Sequence, residues 1–491
     1  MTDQRIDPRR RWPWLLSNAG ILTVTVIVAG LGITALVVML LIAGDAPDTE
    51  RAKLLIEALK YGLGFFAAAG AVAALLVAVR RQLLAENAHD LSERNHRLAL
   101  QAQAHTETDA AERRVTDLYA KAVEQLGSAD AAVRLGGLYA LERVAQNNPA
   151  QRQTIVNVFC AYLRMPYAPS ATTTPTTAGP ITELPLPRTE PTASRDPRQE
   201  LQVRLTAQRI LTTHLTLPAD VTSEQANTLT PDAVQPFWHG LDLDLTGAQL
   251  IDWNLPRGHL RHADFTSATF TGSAGFHEAT FTGDAWFEKV TFPGVAWFEK
   301  AAFTGGAWFN GATFTGDARF SGTTFSGGAW FEKVTFPGVA WFREAIFSDG
   351  AWFNGAIFSG DAWFEKVTFA GVAGFGGAIF SGDAWFNGAT FSGGAWFREA
   401  AFTGHAWFRE AAFTRHARFE KATFTGGAWF NGAIFSGDAW FEKATFTDGR
   451  LMMVRARVEL REDRRDVWPS GWRIAPGPPS GWCQLVYGAP G

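Results

Sequence analysis

The sequence predicts two unlike halves: a two-helix transmembrane hairpin with an α-helical stalk and small bundle, and then a β-solenoid. Three observations carry this reading. An aromatic residue or leucine returns at a short fixed period through nearly half of the 491 residues. Two long apolar runs stand near the N-terminus. Between these runs and the repeat, apolar residues recur at helical spacing.

Residues 1–13 are basic, with Arg5, Arg9, Arg10 and Arg11 ahead of an apolar run from about Trp14 to Ala43. That run exceeds the ~20 residues a bilayer-spanning helix needs. It is also too long for a signal-peptide core, and no small-x-small cleavage site closes it. A polar link from Gly44 to Lys53 carries Asp45, Asp48 and Glu50. A second apolar run covers about Tyr61 to Val79 and stops at Arg80 and Arg81. Basic residues flank the outer ends of this hairpin, residues 14–80. The positive-inside rule then places both termini in the cytoplasm. The small residues Ala67, Ala68, Ala69 and Gly70 suit close packing of two membrane helices. No charge lies deep in either run, so nothing there suggests an ion pathway.

Residues 81–164 read as a charged stalk and a bundle. Val115, Leu118, Tyr119, Ala122 and Leu126 share one helical face. Val133, Leu135, Leu138, Leu141 and Val144 form a second, and Ile155, Val156, Phe159 and Tyr162 a third. Residues 165–198 are rich in Pro and Thr and bury too little apolar surface to order themselves, so a disordered spacer is expected. A helix over 199–216 packs back on the bundle, and 217–240 is a turn-rich link to the first coil.

The repeat occupies residues 241–449. Its centres return every five residues (Leu245, Leu250, Leu255, Leu260, Phe265, Phe270) and then alternate between six and five from Phe276 to Phe446. Ala or Val stands two residues before almost every centre. A fixed short period means stacked units that bury apolar side chains only against their neighbours. The centres, among them Phe287, Phe298, Phe309, Phe331, Phe342, Phe353, Phe364 and Phe386, form the core in stacked columns. The extra residue of every second unit usually follows a Gly, as at Gly283 and Gly305, where a positive-φ corner bulge is expected. Four units per coil give about 22 residues, hence nine or ten coils and a rod ~45 Å long.

The unit, small residue followed by variable, Phe, variable and variable, resembles the pentapeptide-repeat family. That resemblance implies a right-handed quadrilateral β-helix, with the centre and the small residue pointing inward. The chain departs from the family pattern by using Phe for Leu and by the added residue. Asp117 to Gly127, Ala132 to Arg143 and Glu200 to Leu211 are similar to a helical module preceding such repeats in membrane-anchored actinobacterial proteins. This implies the inner or plasma membrane of a bacterium and no particular activity.

Outward positions carry whatever function the rod has. The residue before the centre is Trp in most six-spaced units. A 22-residue coil aligns Trp286, Trp308, Trp330, Trp352, Gly374, Trp396, Arg418 and Trp440 in one column. Trp297, Arg319, Trp341, Trp363, Trp385, Trp407 and Trp429 fall in another. Two readings stand side by side: an apolar binding face, or repeat duplication with rings lying flat to shield the backbone. Pairs such as Glu288 and Lys289, Glu299 and Lys300, or Arg343 and Glu344 read as a solvated face. After the repeat, alternating Val454, Ala456, Val458 and Leu460 suggest a strand that caps the open end within the 450–491 tail.

No catalytic, cofactor-binding or metal-binding residues are assigned. Cys160 and Cys483 are too few and too distant for a zinc site or disulfide framework. His259, His262, His405 and His416 lack partners at metal spacing. No phosphate loop or dinucleotide fingerprint occurs. Between Asp264 and Asp448 stand 18 acidic and 12 basic residues, a mixture that suits neither nucleic-acid binding nor a DNA mimic. The expected function is a membrane-tethered scaffold, not an enzyme, presenting the rod to an unknown protein partner or to a second copy as a homo-oligomer. The alternatives are a topoisomerase-shielding DNA mimic, as some of the resembling family are, and a membrane-linked signalling component.

Overall fold

Apolar residues without Pro or polar interruption favour helix, and both N-terminal runs form one. The computed structural model describes residues 14, 17–45, 47–167, 196–226, 228–229, 236–476 and 481–488, and divides into two compact units, 1–114 and 115–491. In the first unit, α1 spans Asn18–Gly44, and the Ser17 hydroxyl accepts from the Gly20 N–H at its start. α2 spans Asp48–Leu126, 79 residues. Apolar windows of mean hydropathy 2.8 and 2.3 make both helices long and apolar enough to cross a membrane.

The sequence-based boundaries differ from this in two places. α2 begins inside the expected polar link, so only residues 45–47 connect the helices. Nor do Arg80 and Arg81 end the second helix, because Arg, Gln, Leu and Glu propagate a helix well; the apolar run and the stalk are one helix. The helices approach each other at Gly32 and Gly62, where an added Cβ would lie 3.0 Å from Phe65 and 2.7 Å from Leu36. Of the small residues expected to pack closely, Ala69 is buried, whereas Ala67 and Ala68 are exposed and Gly70 has nothing within 4 Å of its Cβ position.

In the second unit, the end of α2 packs with α3 (Ala131–Asn147), α4 (Arg152–Arg164) and α5 (Pro197–Leu215). Asp130 and Asp196 cap α3 and α5 through their carboxylates. Leu138, Leu141, Ile155, Val156, Phe159, Val203, Ala207 and Leu211 are buried between them. A charged cluster lies among them. Glu200 accepts from the Tyr162 hydroxyl at 2.9 and 3.0 Å and from Arg204 Nε at 3.2 Å, and Arg134 Nη2 stands 3.2 Å away. All three charged side chains are buried. Burial, followed by the Glu200 hydrogen bond, pushes the Tyr162 phenol up to about 12. The expected disordered spacer falls mainly on residues 168–195, outside the described residues.

The bundle is not a separate body: its core runs into that of the solenoid. Gln153 donates to the Asp242 carbonyl at 2.9 Å, and Gln208 clasps both backbone groups of Ile251 at 2.8 and 3.0 Å. Thus the helices close the first coil, an end for which the sequence pattern offered no cap. The stretch expected to be a linker is also folded in part. Trp238 is buried and stacks on His214 at 3.8 Å. Leu217, Ala226 of the short α6 (Ser223–Ala226) and Phe237 make a small apolar cluster.

The repeat folds into about ten turns of a parallel β-solenoid. The coils give short strands, mostly of two or three residues, to four sheets visited in the same order; in the first coil the third sheet has only the isolated bridge of Asn254 to Gly275. The registers give the coil length directly. Leu243 pairs with Ala263, twenty residues on; His259 with Thr280, twenty-one; and Ala285 with Ala307, twenty-two, which holds until the last coil, where Ala428 pairs with Leu451 and Ile434 with Arg457, twenty-three on. Ala and Phe point inward and are fully buried. All eight centres named above belong to this core. Rings of one column stack at 4.7–5.1 Å, as in Phe320, Phe342 and Phe364. Neighbouring columns meet edge to face near 5.5 Å, as Phe331 and Phe353 do against Phe342. Both geometries satisfy the aromatic quadrupole. Thr323 takes a small-residue position, and its buried hydroxyl donates to the Phe298 carbonyl at 2.6 Å.

The glycines act differently from the expected corner bulge. Positive φ falls instead two residues after the centre of the units that carry Trp or, at 319, Arg before it, where Lys289, Lys300, Gly311, Gly322, Lys333 and Glu344 occupy equivalent places. At Gly294, Gly316 and Gly338 the need is space: a Cβ would lie 2.4–2.6 Å from a carbonyl oxygen of the preceding coil.

The solenoid also runs past residue 449. Leu451–Met452 and Arg457–Leu460 continue the third and fourth sheets in parallel register. Only the latter lies in the strand expected over 454–460. The cap is antiparallel: Gly481–Tyr487 pairs with Arg457–Leu460, and Trp472–Ile474 pairs with it in turn. Trp468 covers Phe435 and Phe441, at 5.2 and 6.0 Å.

Candidate interaction surface

In each Ala-Trp strand Ala faces inward, so the pleat turns the indole outward. The first sheet aligns Trp286, Trp308, Trp330, Trp352, Gly374, Trp396, Arg418 and Trp440 in register. The third aligns Trp297, Arg319, Trp341, Trp363, Trp385, Trp407 and Trp429. Most of these indoles are half-buried, and Trp396 is exposed. Each lies partly over a corner: an added Cβ on Gly306, Gly328 or Gly427 would strike the ring of Trp308, Trp330 or Trp429 at 2.2–2.6 Å. One edge of each such ring therefore shields backbone while the other faces solvent.

The two columns differ in continuity. In the first, Trp286, Trp308 and Trp330 stack at 5.4 and 4.8 Å. Gly374 then breaks the row, and Trp352 leans across it to meet Trp396 at 5.8 Å and 59°. Arg418 stands between Trp396 and Trp440, over both rings. In the third sheet, Trp341, Trp363, Trp385, Trp407 and Trp429 stack without interruption at 5.2, 4.9, 4.9 and 3.9 Å. The indole N–H groups of Trp341, Trp385 and Trp407 are buried without an acceptor among the described residues. At these three rings the solvent-facing edge is accordingly hydrocarbon, and the Arg409 guanidinium lies over Trp407 at 4.5 Å. Arg319 closes its start, stacked on Trp297 at 4.3 Å.

Polar corners beside the columns have a structural task that sequence reading missed. Each accepts the N–H of the equivalent residue one coil on: Asp317 from Val339, Asp361 from Asp383, Asp383 from His405, and Asn387 from Arg409. His405 Nδ1 takes the Gly427 N–H at 3.1 Å, so this ring has a partner, a backbone one. The signal lay in the 22-residue recurrence of Asp, Asn and His at corners, since only side chains with an acceptor suit that place. Several ion pairs likewise run between coils: Lys300 with Glu278, Arg343 with Glu365, Lys366 with Glu344 and Lys421 with Glu399, at 3.0–3.9 Å. Lys421 holds the Glu399 carboxyl below its ordinary range. Such exposed pairs add little stability.

Among the described residues no group of three or more His, Cys, Asp or Glu is placed to hold a metal. Cys160 and Cys483 are buried and free, and burial pushes the Cys160 thiol up to about 12, which leaves it unreactive. A cavity of about 690 Å³ opens at the C-terminal end, lined by Phe446, Leu451, Met452, Val454, Trp472 and Tyr487.

A solenoid packed solid with phenylalanine offers its outer faces, and the class it defines is that of the parallel β-helical repeat proteins. Residues 265–451 match, in overlapping windows, the profile described as pentapeptide repeats in nine copies, and residues 244–283 match pentapeptide repeats in eight copies. The β-helical part of this chain is thus a pentapeptide-repeat domain, preceded by a helical N-terminal module. Comparison with curated proteins and with solved structures returns no match. Pentapeptide-repeat proteins are typically structural or interaction proteins rather than enzymes.

Proposed function

We propose that this protein is a membrane-tethered scaffold whose pentapeptide-repeat rod makes protein–protein contacts in the bacterial cytoplasm. The observation that carries the reading is the continuous row of five stacked indoles on one sheet, three of them with the N–H buried, in a chain with two helices able to span a membrane. Aligned aromatic surface left open to solvent favours association, and Trp is enriched where binding energy concentrates. The charges around it are mixed and paired between coils, which disfavours a duplex-like acidic face and with it the DNA-mimic reading.

The test replaces Trp297, Trp341, Trp363 and Trp385 by Ser in the full chain and compares crosslinked partners recovered from native membranes. Loss of a partner with unchanged β circular dichroism supports the scaffold; identical partner sets refute it. The topology has its own check. A reporter fused after Gly491 that fluoresces only in the cytoplasm is expected to light, and extracytoplasmic labelling there overturns the tether as drawn.

A further inference from the structure

We infer that the uninterrupted indole column of the third sheet pairs with the same column of a second copy of this chain, antiparallel, about a two-fold axis at Trp385. The inference rests on the reading of this column as a contact face and names its occupant. Three observations select that occupant.

The first is the chemistry of the edge. With the N–H groups of Trp341, Trp385 and Trp407 turned inward, three of the five rings offer no donor to water or lipid headgroups, whereas indoles at a membrane interface keep one wet end. A dry protein surface fits better. The second is the period. Rungs of a solenoid repeat at ~4.8 Å, and a second copy repeats at the same interval, so contacts stay in phase along the whole row. An α-helix advances 5.4 Å per turn and slips ~0.6 Å per rung.

The third is charge. Residues two before and two after each indole also point outward, forming the flanks Asp317, Val339, Asp361, Asp383, His405, Gly427, Arg450 and Ser321, Arg343, Glu365, Asn387, Arg409, Asn431, Val454. Antiparallel pairing about Trp385 sets each flank against itself, reversed. Glu365 then opposes Arg409, Asp361 opposes His405, Asp317 opposes Arg450, and Asn387 opposes its own copy. Parallel pairing sets one flank against the other, which brings Asp361 to Glu365, like against like. The antiparallel arrangement has one unfavourable pair, Asp383 with itself, and Asp383 Oδ1 is already engaged by the His405 N–H. Five rungs and about four residues of width cover on the order of 300 Å² per copy, below the ~800 Å² per partner of stable complexes. Pairing is therefore weak between free molecules and relies on the effective concentration that confinement to one membrane supplies.

Oxidative crosslinking of the full chain in lipid vesicles tests this. Asn387→Cys places a thiol on the axis and is expected to give a disulfide-linked dimer, while Ser321→Cys, which opposes Val454, is expected to give at least tenfold less. Adding Glu365→Arg to Asn387→Cys is expected to cut crosslinking at least tenfold, and adding Arg409→Glu as well to restore it. Equal crosslinking at 387 and 321, or no rescue by the charge swap with β circular dichroism intact, overturns the inference. No crosslinking together with partner loss in the four-Trp variant sinks self-pairing but keeps the scaffold; no effect in either experiment sinks both.

Discussion

Replacing Glu200 by Gln removes the one negative charge that α3, α4 and α5 bury together. Arg134 and Arg204 are 0% and 1% exposed, and Glu200 6%. The amide still accepts from Tyr162, but two guanidinium groups then share no counter-charge. They keep carbonyl partners, Ser128 and Ala129 at 2.9 and 2.7 Å for Arg134, and Leu163 at 2.9 Å and Met165 for Arg204, which also lies over the Tyr162 and Tyr167 rings. Breaking a buried pair from one side costs ~3–5 kcal/mol, and two cations on one anion favour the upper end. At 1.4 kcal/mol per tenfold, exchange-protected amides in α3–α5 should lose about two to three and a half orders of magnitude of protection. Hydrogen exchange on the full chain in micelles reads this, with amides of the central coils as internal reference. Replacing Arg134, Glu200 and Arg204 together by Met is expected to recover most of the loss, less about 1 kcal/mol for the orphaned Tyr162 hydroxyl. A Gln variant protected within about threefold of the parent would show that the cluster is solvated and refute the reasoning.

Two further predictions concern stacking and acid. Gly316→Ala places a Cβ 2.4 Å from the Gly294 carbonyl oxygen and is expected to destabilise by ~1–3 kcal/mol in chemical denaturation. Gly311→Lys, at a positive-φ place where Lys289 and Lys333 already sit, is expected to cost about 1 kcal/mol or less; equal costs would refute these separate roles. His259 lies at an outward position of the fourth sheet, yet is buried, with neither ring nitrogen making a full hydrogen bond among the described residues. Burial, reinforced by His239, holds its pKa below the ordinary value, opposed by the Ser223 carbonyl. A depressed histidine binds its proton less tightly when folded, so its contribution is present above about pH 6.5 and lost as pH falls below it. Protection of residues 217–226, which Arg257 ties down through the Pro218 and Val221 carbonyls at 2.9 and 3.0 Å, is expected to fall between pH 7.5 and 5. His259→Thr, the residue found one coil on, is expected to flatten the response; an unchanged slope would exclude this imidazole.

Much of the architecture was legible because a solenoid is nearly one-dimensional. When each unit touches only its neighbours, the interval between Phe287 and Phe309 states both the coil length and the register of four sheets. The inward Ala and Phe and the outward Trp columns follow from the pleat alone. Helical periodicity likewise located α3 to α5, and hydropathy located the two long apolar helices.

What only the tertiary structure decided are relations that no spacing encodes. Gly294 and Gly316 look like turn formers in sequence, but their neighbours in space are carbonyls one coil away, so they are required for closeness rather than for φ. Arg134 and Glu200 lie 66 positions apart across a Pro/Thr-rich stretch, and their pairing depends on how α3 and α5 cross. The N-terminal cap depends on Gln153 and Gln208 meeting strand edges that exist only once the first coil has closed. The same holds for the indoles: composition placed Trp341, Trp385 and Trp407 in a line, while the packing of each ring against its corner determined that the N–H turns in and the hydrocarbon edge turns out.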